Sequence, residues 1–219
     1  MEPLIRIDLD KVLADAAPVI LDLGCGRKNV RGRITIDKVD LPQVDIVADL
    51  EEGLSFLPDQ CADAIHCRSV LEHIENFEQL LREMMRVLKP EGTAHVFVPH
   101  FSNPYYYSDH THKRFFGLYS FYYFVDADRQ LRRKVPTFYS DIRLEVVSLR
   151  LVFRSPFWIR RRLKKLFGVL FNLHPWFQEW YEEMLCYVIP CDGIEVALRR
   201  GECATSGNRF PRSSDAACS

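Results

Sequence analysis

Residues 19–32 read VILDLGCGRKNVRG, an apolar run carrying one aspartate that breaks into Gly-x-Gly. A strand that opens into two glycines one residue apart is where an open α/β sheet exposes backbone to a ligand at the strand ends. Gly24 and Gly26 have no Cβ, so the turn can take dihedrals closed to other residues and a ligand can approach closely. Asp37 closes the next apolar run, ITID, eleven residues after Gly26. A carboxylate there can accept hydrogen bonds from both hydroxyls of a ribose. Asp49 follows VDIVA at the end of a third run, within reach of an adenine edge. Only residues 27–33 separate the glycine turn from ITID, less than two helical turns. Lys28 or Arg27 can then supply positive charge directly, in place of a helix N-terminus.

Further along, AIHC (64–67) and AHVFV (94–98) read as strands, and residues 77–88 place Phe77, Leu80, Leu81, Met84, Met85, Val87 and Leu88 at helical spacing. Lys89-Pro90 and Gly92 end that helix. Strand–helix alternation with apolar strands predicts a parallel sheet covered on both faces. In the last third, 144–153 and GIEVAL (193–198) read as strands around a helical region, which predicts an antiparallel edge. The expected fold is a doubly wound α/β sheet. Residues 1–200 read as one domain with insertions at about 100–135 and 155–188, and the small, polar, aperiodic stretch 201–219 reads as a disordered tail.

The chain has 219 residues, 47% hydrophobic and 27% charged, values of an ordinary globular protein. No run approaches the roughly 18 apolar residues of a membrane-spanning helix. Arg6, Asp8, Asp10 and Lys11 interrupt the place of a signal-peptide core, so the expected location is cytoplasmic. Seven cysteines without a C-x-x-C pair fit reduced thiols and argue against a disulfide framework or a zinc finger. Net charge is −1, yet residues 129–165 hold 12 Lys and Arg against Asp141 and Glu145, which points to an anionic partner for one face. A nicotinamide- or flavin-binding turn needs a third glycine where Asn29 stands, which argues against a dehydrogenase.

The ordered set DLGCG, TID, VDIVADL, ADAIHCRSVLEHI and LLREMMRVLKPEGTAHVFVP resembles the class I S-adenosylmethionine-dependent methyltransferases, in the small-molecule type-11-like branch. The resemblance runs from about residue 19 to 99. It implies a Rossmann-like, mostly parallel seven-stranded sheet with an antiparallel edge strand, S-adenosyl-L-methionine as cofactor and S-adenosyl-L-homocysteine as product. Carried over position by position, it implies that Asp22, Gly24, Cys25 and Gly26 surround the methionine part, that Asp37 holds the ribose, and that Asp49 with Leu50 meets the adenine. It implies that Cys67, Arg68 and Ser69 line the cofactor's reactive side.

Methyl transfer from a sulfonium asks the protein to align acceptor and methyl and to exclude water; a hydroxyl acceptor also needs a base. Residues 99–116, PHFSNPYYYSDHTHKRFF, offer His100, His110, His112 and Asp109 in a loop after the fifth strand. A similar stretch in the resembling branch places Asp109 and His112 at matching positions. The expectation is His112 or His110 as base with Asp109 orienting one of them, against an equal reading in which these residues pin the loop. His73 reads as structural, and no metal ligand set is assigned. Residues 157–171, FWIRRRLKKLFGVLF, form an amphipathic pattern that fits a helix covering the sheet or one lying on an anionic membrane surface. The aromatic stretch 173–187 sits where the resembling family builds an acceptor lid, so the expected partner is a small-molecule acceptor, amphiphilic, lipid-linked or glycan, methylated at oxygen. VPHF after the fifth strand argues against nucleic acid, whose amino-methylating enzymes carry an Asn/Asp-Pro-Pro-Tyr type motif there. The alternative from another class is a non-catalytic, cofactor-binding partner protein.

Overall fold

In the computed structural model, residues 2–28 and 30–201 are described; the stretch expected to be a tail lies, but for Gly201, outside them. The strands are β1 (Leu4–Ile5), β2 (Ile20–Leu23), β3 (Ile34–Asp37), β4 (Ile46–Val47), β5 (Ala62–Arg68), β6 (Leu88–Pro99), β7 (Leu144–Val152) and β8 (Gly193–Arg200). The helices are α1 (Leu9–Ala14), α2 (Phe77–Val87), α3 (Trp158–Phe171) and α4 (Pro175–Met184). The eight strands form one sheet in the order β1-β4-β3-β2-β5-β6-β8-β7. From β4 to β6 all pairs are parallel, so the α/β, mostly parallel reading stands.

Two details differ from the seven-stranded expectation. The antiparallel strand is not an edge: β8 lies between β6 and β7 and runs against both. The extra strand is β1, which pairs antiparallel with β4 at the opposite edge. Helix α2 ends at Val87 and β6 begins at once, its Leu88 already pairing with Ala62. Gly92 lets the strand through a tight place, since a Cβ there would lie 3.1 Å from the Ala62 carbonyl oxygen and 2.9 Å from Leu88 Cδ2.

Register fixes which face each side chain takes. Leu21, Leu23, Ile34, Ile36, Ile65, Cys67, Ala94, Val96 and Val98 share one buried face, where α2 adds Leu80, Leu81, Met84 and Met85. The opposite face carries a polar row across adjacent strands, Thr35, Asp22, His66 and His95. Cover on this second face is thin. Among the described residues no helix joins β2 to β3 or β3 to β4, α1 buries no residue, and His95 is exposed. Cover on both faces requires apolar residues at every strand position, and these strands alternate.

Helix α3 buries only Phe171. Trp158, Ile159, Leu163, Leu166 and Val169 are exposed, Trp158 by 70%, so most of its apolar side covers nothing. Helix α4 anchors the region instead, through Tyr181, which packs on Phe171 and Phe153 and donates to the Ile189 carbonyl at 2.8 Å. Among the described residues no helix is long and apolar enough to cross a membrane.

Candidate functional site

The glycine turn is held by its neighbour strand. Gly24 N–H donates to the Ile36 carbonyl at 2.8 Å, and Gln43 Nε2 donates to the Gly26 carbonyl at 2.8 Å. Both glycines take positive φ, +69° and +56°. They differ in what surrounds them. A Cβ on Gly24 would lie 2.1 Å from Val70 Cγ2, whereas one on Gly26 would meet no described residue within 4 Å. Gly24 therefore seats the turn against residue 70, and Gly26 leaves bare backbone beside open space.

Asp37, the last residue of β3, is bonded to that turn. Its Oδ2 accepts from Gly26 N–H at 2.7 Å and its Oδ1 from Val39 N–H at 2.9 Å. Each oxygen keeps a second lone pair for another donor. Asp49 accepts from Glu51 N–H at 3.1 Å and pairs with Lys38 at 2.9 Å; the Lys38 hydrogen bond, chiefly, holds its carboxyl below the usual range. Leu50 is buried in the turn that follows. Asp22, 9% exposed, pairs with Arg33 Nη1 at 3.1 Å on the polar face. Burial, with Asp37 and Asp22 adding negative potential, raises the Cys25 thiol to about 11.

A cavity of about 370 Å³ lies on this face. It is lined by Asp22, Gly24, Cys25 and Lys28 from the turn and by Cys67 and Arg68 from β5. Asp22, Gly24, Cys25, Cys67 and Arg68 of the expected positions thus line this cavity; Gly26, Asp37, Asp49 and Leu50 do not, and the last three stand at the ends of β3 and β4. Ser69, a non-glycine residue at φ +55°, ends β5 with its N–H on the Phe97 carbonyl at 2.9 Å. Arg68 lies over the Phe97 ring at 4.0 Å.

The loop histidines part company. His100 is 0% exposed and belongs to a buried network, with Nδ1 2.8 Å from Ser102 Oγ and Nε2 2.8 Å from Glu182 Oε2. Of the three loop histidines it is the one that the expectation did not name as base, and it serves the scaffold. His110 is exposed. His112 donates from Nδ1 to the Tyr106 carbonyl at 2.9 Å, and its ring lies 4.8 Å from that of His73. Asp109 does not orient His112 through a hydrogen bond, the nearest approach being 3.6 Å; it instead accepts from Thr111 Oγ1 at 2.6 Å and Thr111 N–H at 2.9 Å.

Sequence reasoning passed over Glu72. It is 1% exposed, its Oε2 has no partner among the described residues, and burial raises its carboxyl to about 7. The signal was available: an acid inside the apolar stretch VLEHI cannot be solvated at small cost.

Residues 21–96 match a family model described as a methyltransferase domain. No curated protein matches by sequence. Among solved structures, the chain is similar to a SAM-dependent methyltransferase from Archaeoglobus fulgidus at 15% identity, covering 89% of this chain and 91% of that one, TM-score 0.49. It is similar to a putative methyltransferase from Bacillus halodurans at 15% identity, 87% and 94% coverage and TM-score 0.48. Coclaurine N-methyltransferase, bound to N-methylheliamine and SAH, gives 14% identity, 88% and 68% coverage and TM-score 0.47. The match to the methyltransferase-domain model spans residues 21–96, the stretch in which the ordered motifs lie.

Proposed function

We propose that the protein transfers a methyl group from S-adenosylmethionine to the oxygen of a small-molecule or lipid-linked acceptor. The observation that carries this reading is the Asp37 carboxylate, which accepts from the Gly26 N–H at 2.7 Å where a Cβ would meet no described residue within 4 Å. An open glycine backbone beside an aspartate at adjacent strand ends is a cradle for a ribose, and the donor set fits the cofactor. Asp37 would hold the ribose hydroxyls, Asp49 and Leu50 the adenine, and Asp22, Gly24, Cys25 and Gly26 the methionine part. Lys28, which lines the cavity, would meet its carboxylate. Cys67 and Arg68 would close the reactive side.

When bound, the cofactor supplies a sulfonium methyl whose departure returns the C–S electron pair to sulfur. The protein's own work is alignment, water exclusion and proton handling at the acceptor. His112 and His110, with Asp109, stand in the loop after β6 as candidates for the proton. The exposed apolar side of α3, beside Arg160, Arg161, Lys164 and Lys165, supports an amphiphilic acceptor or a membrane-peripheral one.

Calorimetric titration with S-adenosylmethionine and with S-adenosylhomocysteine tests the reading. Wild type should bind both, and labelled methyl should pass to an acceptor in a cell extract. Binding without transfer to any acceptor would favour a non-catalytic partner protein, and no binding would overturn the reading.

A further inference from the structure

The Oε2 of Glu72, without a partner among the described residues, stands in a group of which the methyl-transfer reading uses only His112. Glu72, His73 and His112 each offer one donor atom, and these atoms lie within 4.8 Å of one another. Two of the residues are consecutive in the turn after β5, and the third is in the loop after β6. The backbone ties those segments together, since Lys113 N–H and Arg114 N–H both donate to the Glu72 carbonyl, at 2.7 and 3.2 Å.

The hydrogen bonds fix the tautomer of both rings. The Tyr106 carbonyl can only accept, so His112 carries its proton on Nδ1. The Thr111 hydroxyl lies 2.6 Å from Asp109 Oδ1, to which it donates. That hydroxyl can then only accept from His73, whose Nδ1 lies 2.9 Å away. Each imidazole is therefore held through Nδ1–H, with the lone pair of Nε2 left free. A ring fixed by its other nitrogen to a carbonyl or a hydroxyl–carboxylate relay is the arrangement that prepares histidine for a metal ion. Asp109 Oδ2, 3.6 Å from His112 Nε2, stands near as a further oxygen.

We infer that Glu72, His73 and His112 form a binding site for a divalent first-row transition metal ion of the zinc type. Two imidazoles and one carboxylate are a donor set for such ions, and three protein ligands leave positions open to water or another oxygen ligand. Bonds of about 2.0–2.2 Å would draw the three donors together from their present spacing. The buried carboxylate explains why a ligand is called for: an oxygen at 1% residue exposure with no hydrogen-bond donor costs stability unless a cation meets it. The site stands on this cluster alone and does not depend on the chain being a methyltransferase.

The test uses the full chain, stripped with chelator and titrated with Co²⁺ alone, followed by visible absorption and calorimetry, with Zn²⁺ as competitor. The expected result is one Co²⁺ per chain with ligand-field bands of nitrogen and oxygen donors and no thiolate charge-transfer band, displaced by Zn²⁺. Glu72→Gln and His112→Ala should each weaken binding more than about tenfold, the lower bound for losing even an outer partner. His95→Ala, on the open sheet face, should leave it unchanged. Metal-free melting curves of the variants check that they fold, and either variant alone suffices for the comparison. No binding, a thiolate band, or affinity indifferent to both substitutions would overturn the inference and leave the cluster as a hydrogen-bonded clasp.

Discussion

Asp37 Oδ2 accepts from the Gly26 N–H at 2.7 Å, so the acid that ends β3 also fixes the turn that follows β2. Asp37→Ala removes both jobs, whereas Asp37→Asn keeps an acceptor but loses the charge. Hydrogen bonds to a charged group contribute about 1.5–3 kcal/mol. S-adenosylmethionine affinity should accordingly drop about 10- to 100-fold in the alanine variant and less in the asparagine one, read by calorimetry. Equal affinity in all three proteins would remove Asp37 from the site.

The two glycines should answer differently to alanine. At Gly24 the new methyl meets Val70 Cγ2 at 2.1 Å on a stiff β-branched side chain, and φ is +69°. Overpacking costs about 1–3 kcal/mol and the backbone strain about 1 kcal/mol more. At Gly26 only the strain remains, about 1 kcal/mol. Urea denaturation should rank Gly24→Ala well below Gly26→Ala. Gly24→Ala combined with Val70→Ala should not recover wild-type stability, because the dihedral persists.

The Cys25 thiol, raised to about 11 by burial and by Asp37 and Asp22, should resist alkylation. The shift is upward, so less thiolate exists at any pH below it. From the ordinary value of 9.0 this lowers the thiolate fraction about 100-fold at pH 8. Mass spectrometry of iodoacetamide labelling, compared with a small free thiol, measures it. Asp37→Asn should speed the reaction by removing one of the named causes.

His100 separates scaffold from chemistry. Its two ring nitrogens are bound to Ser102 and Glu182 at no exposure, so His100→Ala leaves the mostly buried Glu182 carboxylate with Oε2 unpaired by His100 and only Oε1 still bonded, to Leu118 N–H. The expected cost is about 3 kcal/mol of stability by chemical denaturation. Cofactor affinity should stay within twofold of wild type, roughly the scatter of the measurement. A large affinity loss in folded protein would return His100 to the list of site residues.

Helix α3 should bind anionic vesicles and ignore zwitterionic ones. Each Lys or Arg near such a surface contributes about 1 kcal/mol, and Trp158, Ile159 and Leu166 are exposed to enter it. Co-sedimentation with phosphatidylserine vesicles should fall with salt and be abolished by Leu166→Glu. Protein remaining in the supernatant at low salt would exclude the contact.

The parallel strands could be read from the sequence because β2, β3 and β5 are bounded by glycine, aspartate or arginine and their apolar positions are unambiguous. Their alternation was also there, in LDL, IHC and HVFV, yet strand–helix order suggested cover on both faces, and the short link 27–33 was the better guide. The place of β8 was not legible, since nothing local says which two strands a late strand will separate. At the site, the residues of the glycine turn were legible from spacing. The bond between Asp37 and Gly26 was not, because it depends on how the turn folds back over its neighbour. Glu72 was hidden by its own neighbourhood: a charged residue beside His73 looks like surface until the fold puts residues 106–112 on top of it.

The insertion of β8 between β6 and β7 has a cost in time as well as a place in space. Until the chain reaches Arg200, β7 has no strand to pair with and the rim of β6 stays unzipped. A nascent chain stalled short of this point would expose two strand borders at once. Premature stop codons ahead of β8 should therefore yield aggregates in cells, where loss of a true rim strand would yield a shortened but soluble product.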